Sequence, residues 1–298
     1  MSKFAYLIMA HNDAYCFSKL IDLLDDKRND IFVHIDRKSD ICPFQEVKPK
    51  YSHIYYTDRV DVRWGDVSLI EAELTLFKAA IAHKAYDYYH LLSGVDLPLK
   101  SQDEMHSFFD DHRGCEFVGI TPPSIEAKKR CSYYYALTRH TKQPYRWERG
   151  IIKSIRIICV GLQKLVGFRR NKNTTFYMGP NWVSISHGLC QYIVNHADEI
   201  LQTYGYCWCP DEVFIPTLVM NSPFKGKQYK KEQFASSVRK IDFERGKPWV
   251  WRLEDYNELM SSDCMFARKF SSNVDKNIID KIYKTIRGEN EDSILPTK

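Results

Sequence analysis

A run of seven apolar residues, Phe4-Ala5-Tyr6-Leu7-Ile8-Met9-Ala10, stands almost at the start of the chain and gives way at once to the polar His11-Asn12-Asp13. A strand that alternates apolar and polar residues leaves one face wet. An uninterrupted run has no face to give to water, so it must be covered on both sides, which is the situation of a parallel strand between two layers of helices. Ile31-Phe32-Val33-His34-Ile35 repeats the pattern and again ends in polar residues, Asp36-Arg37-Lys38. A helix over about 15 to 26 fits between the two. Such paired strand-to-helix units predict an α/β fold with a central, mostly parallel sheet flanked by helices, in which ligands sit outside the carboxyl ends of the strands.

The rest of the chain extends that pattern. Apolar positions 69, 70, 74, 76, 77, 80 and 81 form a helical stripe between Val67 and Lys84. Tyr88 to Gly94 reads as a strand closed by Val95-Asp96-Leu97-Pro98, and Ser101 with Glu104 makes a capping box for the following helix. Phe176 to His187 reads as strand, Gly188 to Gln202 as helix, Pro210-Asp211-Glu212 as the acidic start of a helix, and about 274 to 287 as a last amphipathic helix. Residues 121 to 175 differ in character, with Pro122-Pro123, Lys128-Lys129-Arg130, three tyrosines at 133 to 135 and an apolar-basic stretch from Ile151 to Arg170. We read this as a helical insertion in one domain spanning 1 to 298.

The bulk properties narrow the class of function. The chain is 44% hydrophobic and 27% charged, as in ordinary globular proteins, and its net charge of +5 is too mild for a nucleic-acid binder while suiting an anionic ligand such as a nucleotide diphosphate. Nine cysteines, an odd number with no C-x-x-C pair, fit a reduced protein, and a bridge between Cys207 and Cys209 would be strained. The opening apolar run is too short for a signal sequence and no stretch approaches 18 uninterrupted apolar residues. A cytoplasmic location is therefore expected.

Several side chains have the chemistry of a site. Asp211-Glu212, beside Trp208 and Phe214, either supplies a partly desolvated general base or simply caps a helix. Arg268-Lys269, between Phe266 and Phe270, either reaches a phosphate or is a solvated pair. Asp36-Arg37-Lys38 either fixes a ribose or base and a phosphate, or caps a turn, and Asp96 either binds a sugar hydroxyl or is a turn residue. The chain contains no Asp-x-Asp triplet of the kind that holds Mg²⁺ or Mn²⁺ in many nucleotide-sugar transferases. Without a metal, cations such as Arg268, Lys269 and Arg252 would have to stabilise a diphosphate leaving group.

Taken in order, eight stretches resemble the core-2/I-branching N-acetylglucosaminyltransferase family, glycosyltransferase family 14, which includes the peptide O-xylosyltransferases. They are residues 5–12, 34–40, 62–65 with Ser68-Leu69, 91–98, Met178-Gly179-Pro180-Asn181-Trp182, Pro210-Asp211-Glu212-Val213-Phe214, Asn221-Ser222-Pro223-Phe224 and Phe266-Ala267-Arg268-Lys269-Phe270. The resemblance implies a GT-A type fold, a UDP-sugar as co-substrate, inversion at the anomeric carbon and no metal or other cofactor. It makes Glu212 the base and Arg268 and Lys269 the diphosphate cations, with Arg252 added to them on the charge argument above. His11, Asp36 and Lys38 become uridine contacts, and Arg63, Trp64, Asp96, Asn181, Trp182 and Asp211 become residues of the donor and acceptor cleft. N-acetylglucosamine is the first expectation for the sugar and xylose the second.

The family's animal members carry a membrane anchor and disulfides that have no counterpart in this sequence, so a compact bacterial enzyme of surface polysaccharide or glycolipid synthesis is expected. Its acceptor would be a saccharide or a lipid-linked saccharide. The residues before Trp182 differ from those of many relatives, which leaves the acceptor open, and a non-catalytic carbohydrate-binding relative is the alternative. Residues 150 to 170, apolar and basic together, form either a core helix with basic ends or an amphipathic helix at the inner face of a membrane.

Overall fold

The computed structural model describes residues 2–142, 145–230 and 235–289. Along the chain it forms β1 (Phe4–Ala10), α1 (Ala14–Leu24), β2 (Asn29–Ile35), α2 (Cys42–Gln45), β3 (His53–Tyr56), α3 (Ser68–His83), β4 (Tyr88–Ser93), β5 (Asp96–Pro98) and α4 (Gln102–Asp111). There follow α5 (Ile125–Cys131), α6 (Arg146–Leu165), β6 (Ser184–Ser186), α7 (His187–Asn195), α8 (Ala197–Tyr204), α9 (Asp211–Met220), β7 (Arg239–Ile241), α10 (Tyr256–Met260), β8 (Phe266–Arg268) and α11 (Lys276–Arg287).

Among the described residues the main sheet has the order β3-β2-β1-β4-β6, parallel except for the antiparallel edge strand β6. Every residue of β1 and β2 is buried; β1 is apolar throughout, and the polar Asn29, Asp30 and His34 of β2 are each hydrogen-bonded, to Gln102, Tyr86 and Val60 N. Alternation along β1 divides the core. Phe4, Tyr6, Ile8 and Ala10 pack with α1, α11 and a second small sheet of order β5-β8-β7, while Ala5, Leu7 and Met9 pack with α3, α7 and α9 on the opposite face. This mostly parallel sheet flanked by helices is the arrangement of a GT-A nucleotide-sugar-binding fold.

The chain runs from β1 outward through β2 to β3 and then crosses back to place β4 on the other side of β1. Such a reversal leaves a crevice at the carboxyl ends of the two strands that part company, here β1 and β4. The crevice is held tightly: Asp36 N donates to Ala10 O at 2.9 Å and Gly94 N to Met9 O at 2.8 Å, and a Cβ on Gly94 would lie 2.6 Å from that of Ala10.

Several expectations are corrected. Strand pairing between 176 and 187 is confined to β6 and an isolated antiparallel bridge from Met178 to Thr121, with Pro180, which has no N–H to donate, between them; a Cβ on Gly179 would stand 1.8 Å from the carbonyl oxygen of Gly119. The helix over 188 to 202 breaks into α7 and α8 at His196, whose ring Nδ1 hydrogen-bonds Tyr192 O. Val95-Asp96-Leu97-Pro98 does more than close β4, since β5 pairs antiparallel with β8 and brings Asp96 opposite Arg268. The nine cysteines are free thiols, Cys207 and Cys209 in the loop before α9 among them. The capping box at Ser101 and Glu104 is formed as expected.

Candidate active site

A cavity of about 390 Å³ occupies the crevice, floored by Met9, Ala10 and Ser93 at the ends of β1 and β4. His11, Asp36, Lys38, Arg63, Trp64, Trp182 and Arg268, seven of the residues singled out from the sequence, line it together. Their elements lie far apart in the chain and meet because the parallel strands all end at this edge. Lys269 adjoins the cavity through Arg268 and Lys142, whose positive charges add to desolvation in lowering its pKa.

Charge is unevenly balanced here. Lys38 Nζ bonds both Asp36 oxygens at 2.8 and 2.9 Å and Asp61 at 2.7 Å, so its charge is already met. Asp61 also pairs with Arg63 at 3.0 Å and Arg139 at 3.8 Å, and the Lys38 and Arg63 cations hold its carboxyl down at about 2. Asp96 is buried, with one oxygen accepting from Ser93 N and the other from Arg268 Nη1 at 2.7 Å. It therefore anchors Arg268, which lies 4.3 Å over the Trp182 ring. Among the described residues Lys142 and Lys269 have no carboxylate partner. Six cations, Lys38, Arg63, Arg139, Lys142, Arg268 and Lys269, thus face three carboxylates, an excess suited to an anion carrying two phosphates. Burial pushes the His34 imidazole at the cavity wall down to about 4, and its neutral Nε2 accepts from Val60 N at 2.9 Å.

Beside the cavity lies a second cluster, at the start of α9. Glu212 is half-exposed and pairs with Arg130 of α5 at 2.6 Å. Glu73 is buried on α3, with one oxygen accepting from Asn181 Nδ2 at 3.3 Å and the other without a hydrogen-bond partner among the described residues. Asp211 Oδ1 is likewise shielded and unpartnered, and desolvation followed by the Glu212 charge pushes its carboxyl up to about 7. Two features join cluster and cavity. Gly179 N donates to Glu212 O at 2.9 Å, so the segment that carries Asn181 to Glu73 carries Trp182 to Arg268. Trp64 of the cavity packs edge-on against Trp208 at 5.6 Å, and Trp208 N donates to Arg130 O.

Arg252 stands apart from this arrangement, exposed and stacked on Trp249 at 5.1 Å, outside the cavity lining. The neighbouring Trp251 does contribute, because its Nε1 donates to Arg268 O at 2.8 Å and its backbone N to Lys269 O, fixing the cationic pair. Sequence reasoning missed Arg139 and Lys142, His34, Glu73 and Arg130 as site residues. Only Glu73 had a legible signal, a carboxylate inside the apolar stripe of α3. Among the described residues no three His, Cys, Asp or Glu side chains gather as a metal-binding group.

Comparison with known proteins agrees with this layout. Residues 4–259 match the family model described as "Branch: Core-2/I-Branching enzyme". Similar curated proteins include "Xylosyltransferase" of Ciona intestinalis, 21% identical over 96% of this chain and 34% of that protein. "Xylosyltransferase 1" of Homo sapiens is 20% identical over 94% of the chain and 30% of its own length, and "Xylosyltransferase 2" of Mus musculus 21% over 93% and 33%. The chain thus spans about a third of the length of the curated relatives it matches. With a match that takes in both the crevice at the ends of β1 and β4 and the start of α9, the chain belongs to the Core-2/I-Branching enzyme family.

Proposed function

We propose that the protein transfers a sugar from a UDP-sugar to a hydroxyl of a saccharide acceptor, with inversion at the anomeric carbon and without a metal. The observation that carries this reading is the excess of cations at the crevice, with the Glu212 carboxylate beside it. Asp36 and His11 would face the uridine, and Arg268 and Lys269, with Lys142, the diphosphate. Glu212 takes the proton of the acceptor hydroxyl as its oxygen bonds to the anomeric carbon; the bond from that carbon to the β-phosphate oxygen breaks, and UDP leaves with the electron pair. Arg130 donates to the Glu212 carboxylate and so fixes its position beside the crevice until the acceptor arrives.

The relatives named above are xylosyltransferases, so UDP-xylose stands ahead of N-acetylglucosamine as the donor, reversing the order expected from sequence. UDP-N-acetylglucosamine is kept as the second reading because the matching family model is that of the branching enzymes. A lipid-linked saccharide in bacterial surface-polymer or glycolipid synthesis is our reading of the acceptor, supported by the exposed apolar helix described below.

A thermal-shift series with UDP, UDP-xylose and UDP-N-acetylglucosamine, each in EDTA and in Mn²⁺, tests the donor site, since a ligand of the folded state raises its stability. Stabilisation in EDTA by UDP and one UDP-sugar is expected; stabilisation confined to Mn²⁺ would refute the metal-free reading. Glu212→Gln is expected to retain UDP binding and to lose transfer by about 10²-fold or more, the range for removing a general base. Unchanged turnover would remove Glu212 from that role, and absence of nucleotide binding in any condition would favour a non-catalytic carbohydrate-binding protein.

A further inference from the structure

We propose that α6, with the basic cleft at its C-terminal end, docks the protein on an anionic phospholipid surface. The helix has 20 residues, none of them buried. Trp147, Ile151, Ile155, Ile158, Leu162 and Leu165 recur at three- and four-residue steps and so form one stripe. That stripe faces solvent: Trp147 is 64% exposed, Ile158 60% and Leu165 83%. The helix meets the protein on a different side, where Gln163 bonds Tyr134 and Arg156 stacks on Trp208 at 3.9 Å. Of the two readings of residues 150–170, the core helix with basic ends is excluded, since the helix offers its apolar stripe outward.

Charge selects the occupant. Arg146, Lys153 and Lys164 are spaced seven and eleven residues apart and so share one face of the helix, roughly 130–150° round from the stripe and largely opposite it. Beyond its end, a cleft of about 410 Å³ gathers Lys128, Lys129, Lys164 and Arg169 with the apolar Ile125 and Phe168. Among the described residues none of these four cations has a carboxylate partner. An apolar stripe with cations on the opposite face and a basic cleft at its end matches the boundary between acyl chains and phosphate headgroups of a bilayer, where the apolar residues enter the lipid and the cations stay among the phosphates. A second copy of the helix fits less well, since each α6 carries five cations and the single carboxylate Glu148, and pairing two would set like charges together. The docked helix would also lie beside the reaction site: Lys142 of the cavity precedes Arg146 by four residues, and the Trp208 that Arg156 covers packs on Trp64. Delivery of a lipid-linked acceptor is the use of this surface that rests on the function proposed above.

Vesicle flotation of the full chain, without nucleotide, tests the docking. Binding to vesicles containing about one third phosphatidylglycerol is expected to exceed binding to pure phosphatidylcholine at least ~10-fold, and to fall as salt is raised from ~0.1 to ~0.5 M. Ile158→Glu with Leu162→Glu is expected to reduce it at least ~10-fold. Lys128→Glu with Lys164→Glu is expected to remove the preference for anionic lipid. All four side chains are exposed, so folding is retained, with circular dichroism and UDP-induced thermal shift as checks. Failure to float on anionic vesicles, equal flotation of the Ile158/Leu162 variant, or a lipid-free dimer that this variant dissociates would overturn the proposal. A protein that binds UDP and does not float loses the docking surface and keeps the transferase reading; one that floats and binds no nucleotide does the reverse.

Discussion

Replacing Asp211 by asparagine removes a charge that the fold holds against its preference. Desolvation and the adjacent Glu212 push the Asp211 carboxyl up to about 7, and its shielded Oδ1 finds no donor among the described residues. In an unfolded chain the same carboxyl ionises near 3.9. Between about pH 4 and pH 7 the folded protein therefore keeps a proton that the unfolded chain has released, and stability falls as pH rises through that window. A difference of roughly three pH units corresponds to at most about 4 kcal/mol above pH 7. Asparagine, neutral throughout, escapes that loss. Below about pH 4 the variant and parent should be equally stable, and by pH 8 the variant should be the more stable, by up to about 6 °C in melting temperature for a chain of this size. The gain would come from relieving strain at a site shaped for chemistry rather than for stability. Calorimetric melting at half-unit pH steps from 4 to 8 measures it. Parallel profiles for the two proteins, or a variant less stable at pH 8, would refute the reasoning.

Other substitutions separate the parts of the site. Lys269→Ala should weaken UDP binding at least ~10-fold and uridine binding little, because a cation near the diphosphate sees only the former; calorimetric titration with both ligands checks this, and equal losses would contradict a phosphate role. Gly179→Ala should destabilise the fold by about 3 kcal/mol or more, since a Cβ there would stand 1.8 Å from Gly119 O. Denaturant unfolding of Gly179→Ala measures that loss, and a change below ~1 kcal/mol would show that the neighbouring segments yield easily.

Much of the scaffold was legible in the chain because burial on both faces leaves a one-dimensional mark. The apolar runs in β1, β2 and β4 marked strands covered by helices, and the polar residues ending β1 and β2 had to emerge at one edge of a parallel sheet. Asp36, Lys38, His11, Trp64, Trp182 and Arg268 were found in this way and by family resemblance, and they meet in the cavity. Where local pattern and tertiary context disagreed, the context prevailed, as at 176–183, where Met178 alone bridges to Thr121 and no strand forms.

Partnership was what the sequence left undecided. No spacing rule pairs Arg130 with Glu212, Asp96 with Arg268 or Glu73 with Asn181, residues 82, 172 and 108 positions apart, because such pairs form only when separate elements pack. Arg252 and Lys269 are equivalent as charges in a list of residues, yet one lies exposed on Trp249 while Trp251 fixes the other beside the cavity. The basic helix at 146–165 could be recognised by its period, but whether its apolar stripe turned inward or outward depended on which surfaces the rest of the chain had left uncovered. The sequence determines what each segment must hide and which side chains carry charge; the tertiary structure decides which charges are neutralised, which carboxyls stay protonated and which apolar surface remains in contact with water, since each is set by neighbours that only folding supplies.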